Sequence, residues 1–93
     1  MSSPAKWTAC DWIPNGRGRK TVAWRSDAFP GIIIRHCGHP TALRPYYLCG
    51  VDTARKFMQL QQAQAAVAMV AAGEIEAEDV ATYDFPLKHR GFY

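Results

Sequence analysis

The sequence predicts an α+β domain, a small three- to four-stranded antiparallel sheet with one main helix packed on it. Three observations carry this. Runs rich in β-branched and aromatic residues recur at Thr21–Arg25, Gly31–Cys37 and Leu43–Cys49, separated by Gly, Pro and Asp. Gln59–Ala72 alone has extended helical spacing of apolar residues. The chain of 93 residues is 48% apolar and 20% charged, enough for one globular core and too apolar for disorder. The expected layout is a single domain over 1–93, with an irregular segment at 1–19, the sheet and helix at 20–73, and an acidic, then basic and aromatic tail at 74–93.

Pro4, Pro14, Gly16 and Gly18 argue against a helix at the N-terminus. Trp7 and Trp12 are expected to pack irregular chain onto the sheet, a ligand cage being the alternative. Asn15-Gly16-Arg17-Gly18-Arg19-Lys20 combines glycines, which admit close backbone approach, with cations that neutralise phosphate. It lacks P-loop and dinucleotide spacing, and a solvated turn before a strand is the reading favoured over phosphate binding.

Thr21–Arg25 reads as a short strand with Val22 and Trp24 on one face, broken by Asp27–Gly31. Gly31–Cys37 follows, its Ile32, Ile33 and Ile34 leaving little solvent on either face. Gly38–Thr41 connects, Pro40 pushing His39 toward extended geometry. Leu43–Cys49 returns antiparallel, with Tyr47 and Cys49 on one face and Tyr46 and Leu48 on the other. Gly50–Thr53 closes this strand, and Arg55–Met58 is short enough for one more.

In the helix, Leu60, Ala63, Val67 and Val70 form the stripe for the sheet, and Gly73 suits the position after the C-cap. The opposite face is Gln61, Ala65, Ala68 and Ala72. No charge lies between Lys56 and Glu74. A solvated helix face normally carries Lys and Glu, so either the tail or a partner covers this one. Glu74–Asp79 is wrong in sign for a helix C-terminus and fits the first turn of a second short helix running through Val80. Tyr83–Pro86 is expected to be extended. The end, Leu87–Tyr93, is either laid back on the domain or stacked on bases.

Charge divides the chain. Residues 1–56 carry nine Lys/Arg against three Asp, and residues 57–93 two against five acids. The basic half implies an anionic partner or simple attraction between the halves. The N-terminus has no apolar h-region, and the uncharged run Phe57–Gly73 is too short to span a bilayer. These features predict a cytoplasmic protein with free thiols and no membrane partner.

His36, Cys37 and His39, with Cys10 and Cys49 approaching in space, are the candidate zinc ligands. No Cys-x-x-Cys knuckle exists, and neighbours His36 and Cys37 point to opposite faces of a strand, so no metal or cofactor is expected. Cys37/His39 and Cys49/His36 are the candidate nucleophile pairs. Neither has an oxyanion motif or partner carboxylate, and the protein is not expected to be an enzyme. For nucleic acid, Arg17, Arg19, Lys20, Arg25, Arg35 and Arg44 surround strands bearing Trp24, Tyr46 and Tyr47, cations for backbone phosphates beside rings for stacking.

His36-Cys37-Gly38-His39-Pro40-Thr41-Ala42-Leu43-x-Pro45-Tyr46-Tyr47, followed by Arg55-Lys56-Phe57-x-x-Leu60-x-x-Ala63-Gln64-Ala65-Ala66-Val67, resembles small uncharacterised proteins of bacteriophages and prophages in proteobacteria. The aromatic-x-x-Leu-x-x-Ala pattern is similar to the strand-to-helix junction of sheet-plus-helix phage domains. The resemblance implies a non-catalytic binding protein that blocks a host protein or ribonucleoprotein complex, as anti-CRISPR proteins do. Gln61, Ala65, Ala68, Tyr46 and Tyr47 are its candidate contacts, and the helix face is also a candidate homodimer surface. The alternative is a phage accessory protein that binds DNA or RNA through the basic, aromatic sheet surface.

Overall fold

The computed structural model describes residues 6–39 and 41–85. Five strands form an antiparallel meander: β1 (Thr8–Asn15), β2 (Gly18–Arg25), β3 (Ile33–His36), β4 (Tyr46–Cys49) and β5 (Lys56–Phe57), paired in that order. One helix, α1 (Leu60–Ala71), packs on β4 and β5, and a 3₁₀ turn (Ala77–Ala81) follows. The fold is α+β, as the sequence predicts, with one strand more.

The added strand corrects the reading of 1–19 as irregular. Residues 8–15 pair along the whole of β2. Pro14 is tolerated because β1 is an edge strand, where a missing N–H can face outward. Gly16 and Arg17 form the two-residue turn between the paired Asn15 and Gly18. Only Gly16 has positive φ (62°), the type II′ pattern whose twist suits a hairpin.

Strand alternation sorts side chains onto two faces. The rungs Trp24–Ile34–Leu48 and His36–Tyr46–Phe57 lie on the face toward α1. There Ile34, Leu48 and Phe57 meet Ala63, Ala66 and Val67, and Val80 and Phe85 close the cluster. The predicted helical stripe is slightly rotated. Ala63 and Val67 are buried as expected, Leu60 and Val70 sit half-buried at the rim, and Gln62 and Ala66 are buried beside them.

Gln62 is tolerated in the core because its amide is satisfied. Its Oε1 accepts from the N–H groups of Met58 and Gln59, each at 3.2 Å, and its Nε2 donates to the Phe85 carbonyl at 2.8 Å. The same contacts complete a Gln59/Gln62 capping box at the helix start. At its end Gly73 (φ 76°) donates to Val70 O and Glu74 to Met69 O, the paired bonds of a Schellman stop.

The acidic stretch forms its short helix as the 3₁₀ turn, capped by Glu76 and Asp79. Arg55 ties this segment down. Its guanidinium donates to the carbonyls of Val80 (2.8 Å) and Tyr83, and lies over the rings of Phe57 and Phe85 at 5.2 and 5.1 Å. The basic, aromatic end at 87–93 lies outside the described residues.

Candidate nucleic-acid interface

The sheet face away from α1 is crossed by no described element, and its register gathers the chemistry. Asp11, Ala23, Arg35, Tyr47 and Lys56 stand on one rung running across all five strands. With strands about 4.8 Å apart, the rung is about 19 Å long. Arg25 lies on the next rung, paired with Thr8 and Ile33.

β2 pairs with β3 only through Ala23–Arg25, whereas β1 follows β2 to the turn. The distal hairpin is therefore a two-stranded arm reaching about 16 Å beyond the shared rungs. It carries Arg17, Arg19 and Lys20. Two register shifts, around Cys10 and between Asp11 and Trp12, put Asp11 opposite Ala23 and Trp12 opposite Thr21. Both partners belong to the open face, so the irregularity turns two sequence neighbours to the same side. Trp12 is 42% exposed, with the Arg19 guanidinium 5.2 Å from its ring centre.

Arg35 reaches over Ala23 to the Asp11 carboxylate at 3.1 Å, and Ala23 beneath is fully buried. Hydrogen bonding to Asp11 raises the Arg35 pKa, Tyr47 adding a smaller effect against partial desolvation. Beyond Tyr47 the face dips into a hollow of about 400 Å³ lined by Cys37, Tyr47, Leu48, Thr53, Ala54 and Lys56. Cations, an exposed indole and a recess thus share one surface.

No known family model, curated protein or solved structure matches this chain.

The structure divides the sequence-predicted sets. Arg19, Arg25 and Arg35 fall on the open face and Arg17 at the tip of the arm. Lys20 is in register with Ile13, on the other face of the arm, where its charge reaches His36. Arg44 is exposed in the β3–β4 loop. Tyr46 and Tyr47 are separated: Tyr47 joins the open rung, while Tyr46 packs against the core cluster beside Trp24 and His36. Burial raises the Tyr46 pKa. Trp24 is likewise on the α1 side. Gln61, Ala65 and Ala68 are exposed along the outer face of α1.

Trp7 packs as expected, stacking on Phe29 against the core, but Trp12 does not. Trp12, Asp11 and Lys56 are the open-face residues that the sequence reading missed. The Asn15-Gly16 dipeptide, read as a hairpin turn, would have made residues 8–14 a strand.

The cysteines and histidines are dispersed. Cys10, Cys37 and Cys49 are free thiols. β2 and β3 separate Cys10 from Cys49, about 14 Å across the sheet. Cys49 is on the open face and His36 on the α1 side, which breaks that nucleophile pair. His36 Nδ1 accepts from the Gly38 N–H at 2.8 Å, and His39 Nδ1 pairs with the Thr41 hydroxyl at 3.0 Å. Burial, then the charge of Lys20, lowers the His36 pKa. Among the described residues no three metal-ligating side chains converge. None of the described helices is long and apolar enough to cross a membrane.

Proposed function

We propose that this is a non-catalytic nucleic-acid-binding protein, a phage-type accessory factor that engages DNA or RNA with the open sheet face and the β1–β2 arm. The observation that carries the reading is the co-location of Arg19, Arg35, Lys56 and the exposed Trp12 on a face without a covering helix. Cations on such a surface neutralise backbone phosphates, and an exposed indole offers a stacking platform of the kind single strands use. A two-stranded ribbon is also narrow enough for the major groove of a duplex. The α1 helix carries no cation, so the sheet supplies the contact rather than a recognition helix.

The test is fluorescence anisotropy with short single- and double-stranded DNA and RNA across a salt series. Binding should weaken log-linearly with salt, and replacing Arg17 and Arg19 by Ala should reduce the slope by about 1.4–1.8, near 0.7–0.9 per lost phosphate contact. Absence of binding at low salt overturns the reading.

A second reading rests on α1. Its outer face, with Gln61, Ala65 and Ala68 exposed and uncharged, suits a protein contact with a host complex, an anti-defence inhibitor of the anti-CRISPR kind. Loss of partner capture on Ala65→Glu, with nucleic-acid binding intact, is the result that favours it.

A further inference from the structure

We propose that Asp11 is a built-in phosphate mimic, which occupies Arg35 in the free protein and yields it to a backbone phosphate when a polyanion binds the open face. The inference rests on the nucleic-acid reading and specifies how that site is regulated.

Arg35 and Asp11 form the only ion pair among the described residues. Their contact is not a neighbour contact along the chain or between adjacent strands. It joins β3 to β1 across β2, and it is open to this reach because the intervening residue is the small Ala23. Asp11 owes its position to the irregular register of β1, without which strict alternation would not put it and Trp12 on one side. Its other carboxylate oxygen, Oδ1, accepts the Trp12 N–H at 2.9 Å, so the group is held in place by its own backbone. The carboxylate therefore sits beside the indole on the surface where the reading above puts a nucleic-acid strand.

Carboxylate and phosphate offer a guanidinium the same kind of anionic oxygen acceptors. Exchange at Arg35 is thus close to isoenergetic in its hydrogen bonds. The pair is also accessible, with side-chain exposures of 35% for Arg35 and 51% for Asp11. An exposed pair of this kind is weak, within reach of displacement by an arriving polyanion. Until then, Asp11 cancels the central cation of the rung and repels phosphate from it. Arg19, Arg25 and Lys56, which form no ion pair among the described residues, supply the first contacts. The device raises the threshold for binding and favours ligands long enough to engage the flanking cations as well.

The experiment compares wild type, Asp11→Asn, Arg35→Gln and the double variant for affinity and salt slope on a fluorescein-labelled oligothymidylate. Asparagine keeps an acceptor for the Trp12 N–H. Asp27→Asn removes the same charge at the β2–β3 turn and controls for net charge. Asp11→Asn should tighten binding about two- to fivefold, the size of one exposed ion pair. Its salt slope should stay close to that of the wild type, because Arg35 holds the same phosphate in both bound states. Arg35→Gln should cost the wild type little and abolish the gain in the double variant. An equal gain from Asp27→Asn, or weaker binding by Asp11→Asn, overturns the inference while leaving the nucleic-acid reading standing. No binding by either wild type or Asp11→Asn overturns both.

Discussion

Replacing Arg55 by Ala should release the segment 77–85 and cost far more than an ordinary surface substitution. One guanidinium here does four things: it donates to the carbonyls of Val80 and Tyr83 and covers the rings of Phe57 and Phe85. A hydrogen bond from a cation is worth about 1.5–3 kcal/mol and each ring contact about 0.5–1 kcal/mol. Because one group makes all four contacts and is partly solvated, the contributions do not add in full. A loss of about 2–4 kcal/mol is expected, or roughly 10–25 °C in Tm at about 4–8 °C per kcal/mol for a domain of this size. Val80 and Phe85 belong to the core cluster, so the release should also open the sheet–helix core to protease. Arg55→Lys keeps the charge without the planar fork and should recover less than half of the loss. Urea denaturation followed by circular dichroism, with limited proteolysis in parallel, measures both effects. A change below about 0.5 kcal/mol, the usual size for an unremarkable surface site, would refute the reasoning.

Gly50→Ala should be strongly destabilising, by more than about 2 kcal/mol, because φ is 96° and an added Cβ would stand 2.1 Å from the Gly31 carbonyl oxygen; thermal melting checks it. His36 has a folded pKa below its ordinary 6.5, so the unfolded chain takes up the proton more readily. Its contribution to stability is complete above pH 6.5 and is lost as pH falls from there through the folded pKa; His36→Gln should flatten that part of a stability–pH profile. Ala65→Glu and Ala68→Glu should leave Tm nearly unchanged, within about 0.5 kcal/mol, whereas Ala66→Glu, one residue away and fully buried, should prevent folding.

Local chemistry explains which parts of the fold were legible in the sequence. The helix from Leu60 to Ala71 agrees with its expectation to within a residue, since the Gln59 and Gln62 cap, the apolar period and Gly73 all act within one turn of where they stand. Ile34, Leu48 and Phe57 likewise declare the core through alternation. β1 was hidden because its edge position relaxes the usual rule against proline, and because its alternation is interrupted around Cys10 and Asp11. The rung from Asp11 to Lys56 depends on that interruption and on register across five strands, neither of which a linear pattern expresses. Tyr46 and Tyr47 show the converse. Alternation alone assigned them to opposite faces, and grouping them as one contact surface ignored it. Arg55 acts through residues 25 and 28 positions away, a partnership with no local signature.

The most direct test of the central claim is amide chemical-shift mapping by nuclear magnetic resonance as a short single-stranded oligonucleotide is added at low salt. The account predicts the largest shifts at Trp12, Arg17, Arg19, Arg35, Tyr47 and Lys56, with the α1 amides of Ala65 and Ala68 unmoved. Shifts confined to α1, or none at saturating oligonucleotide, would contradict it.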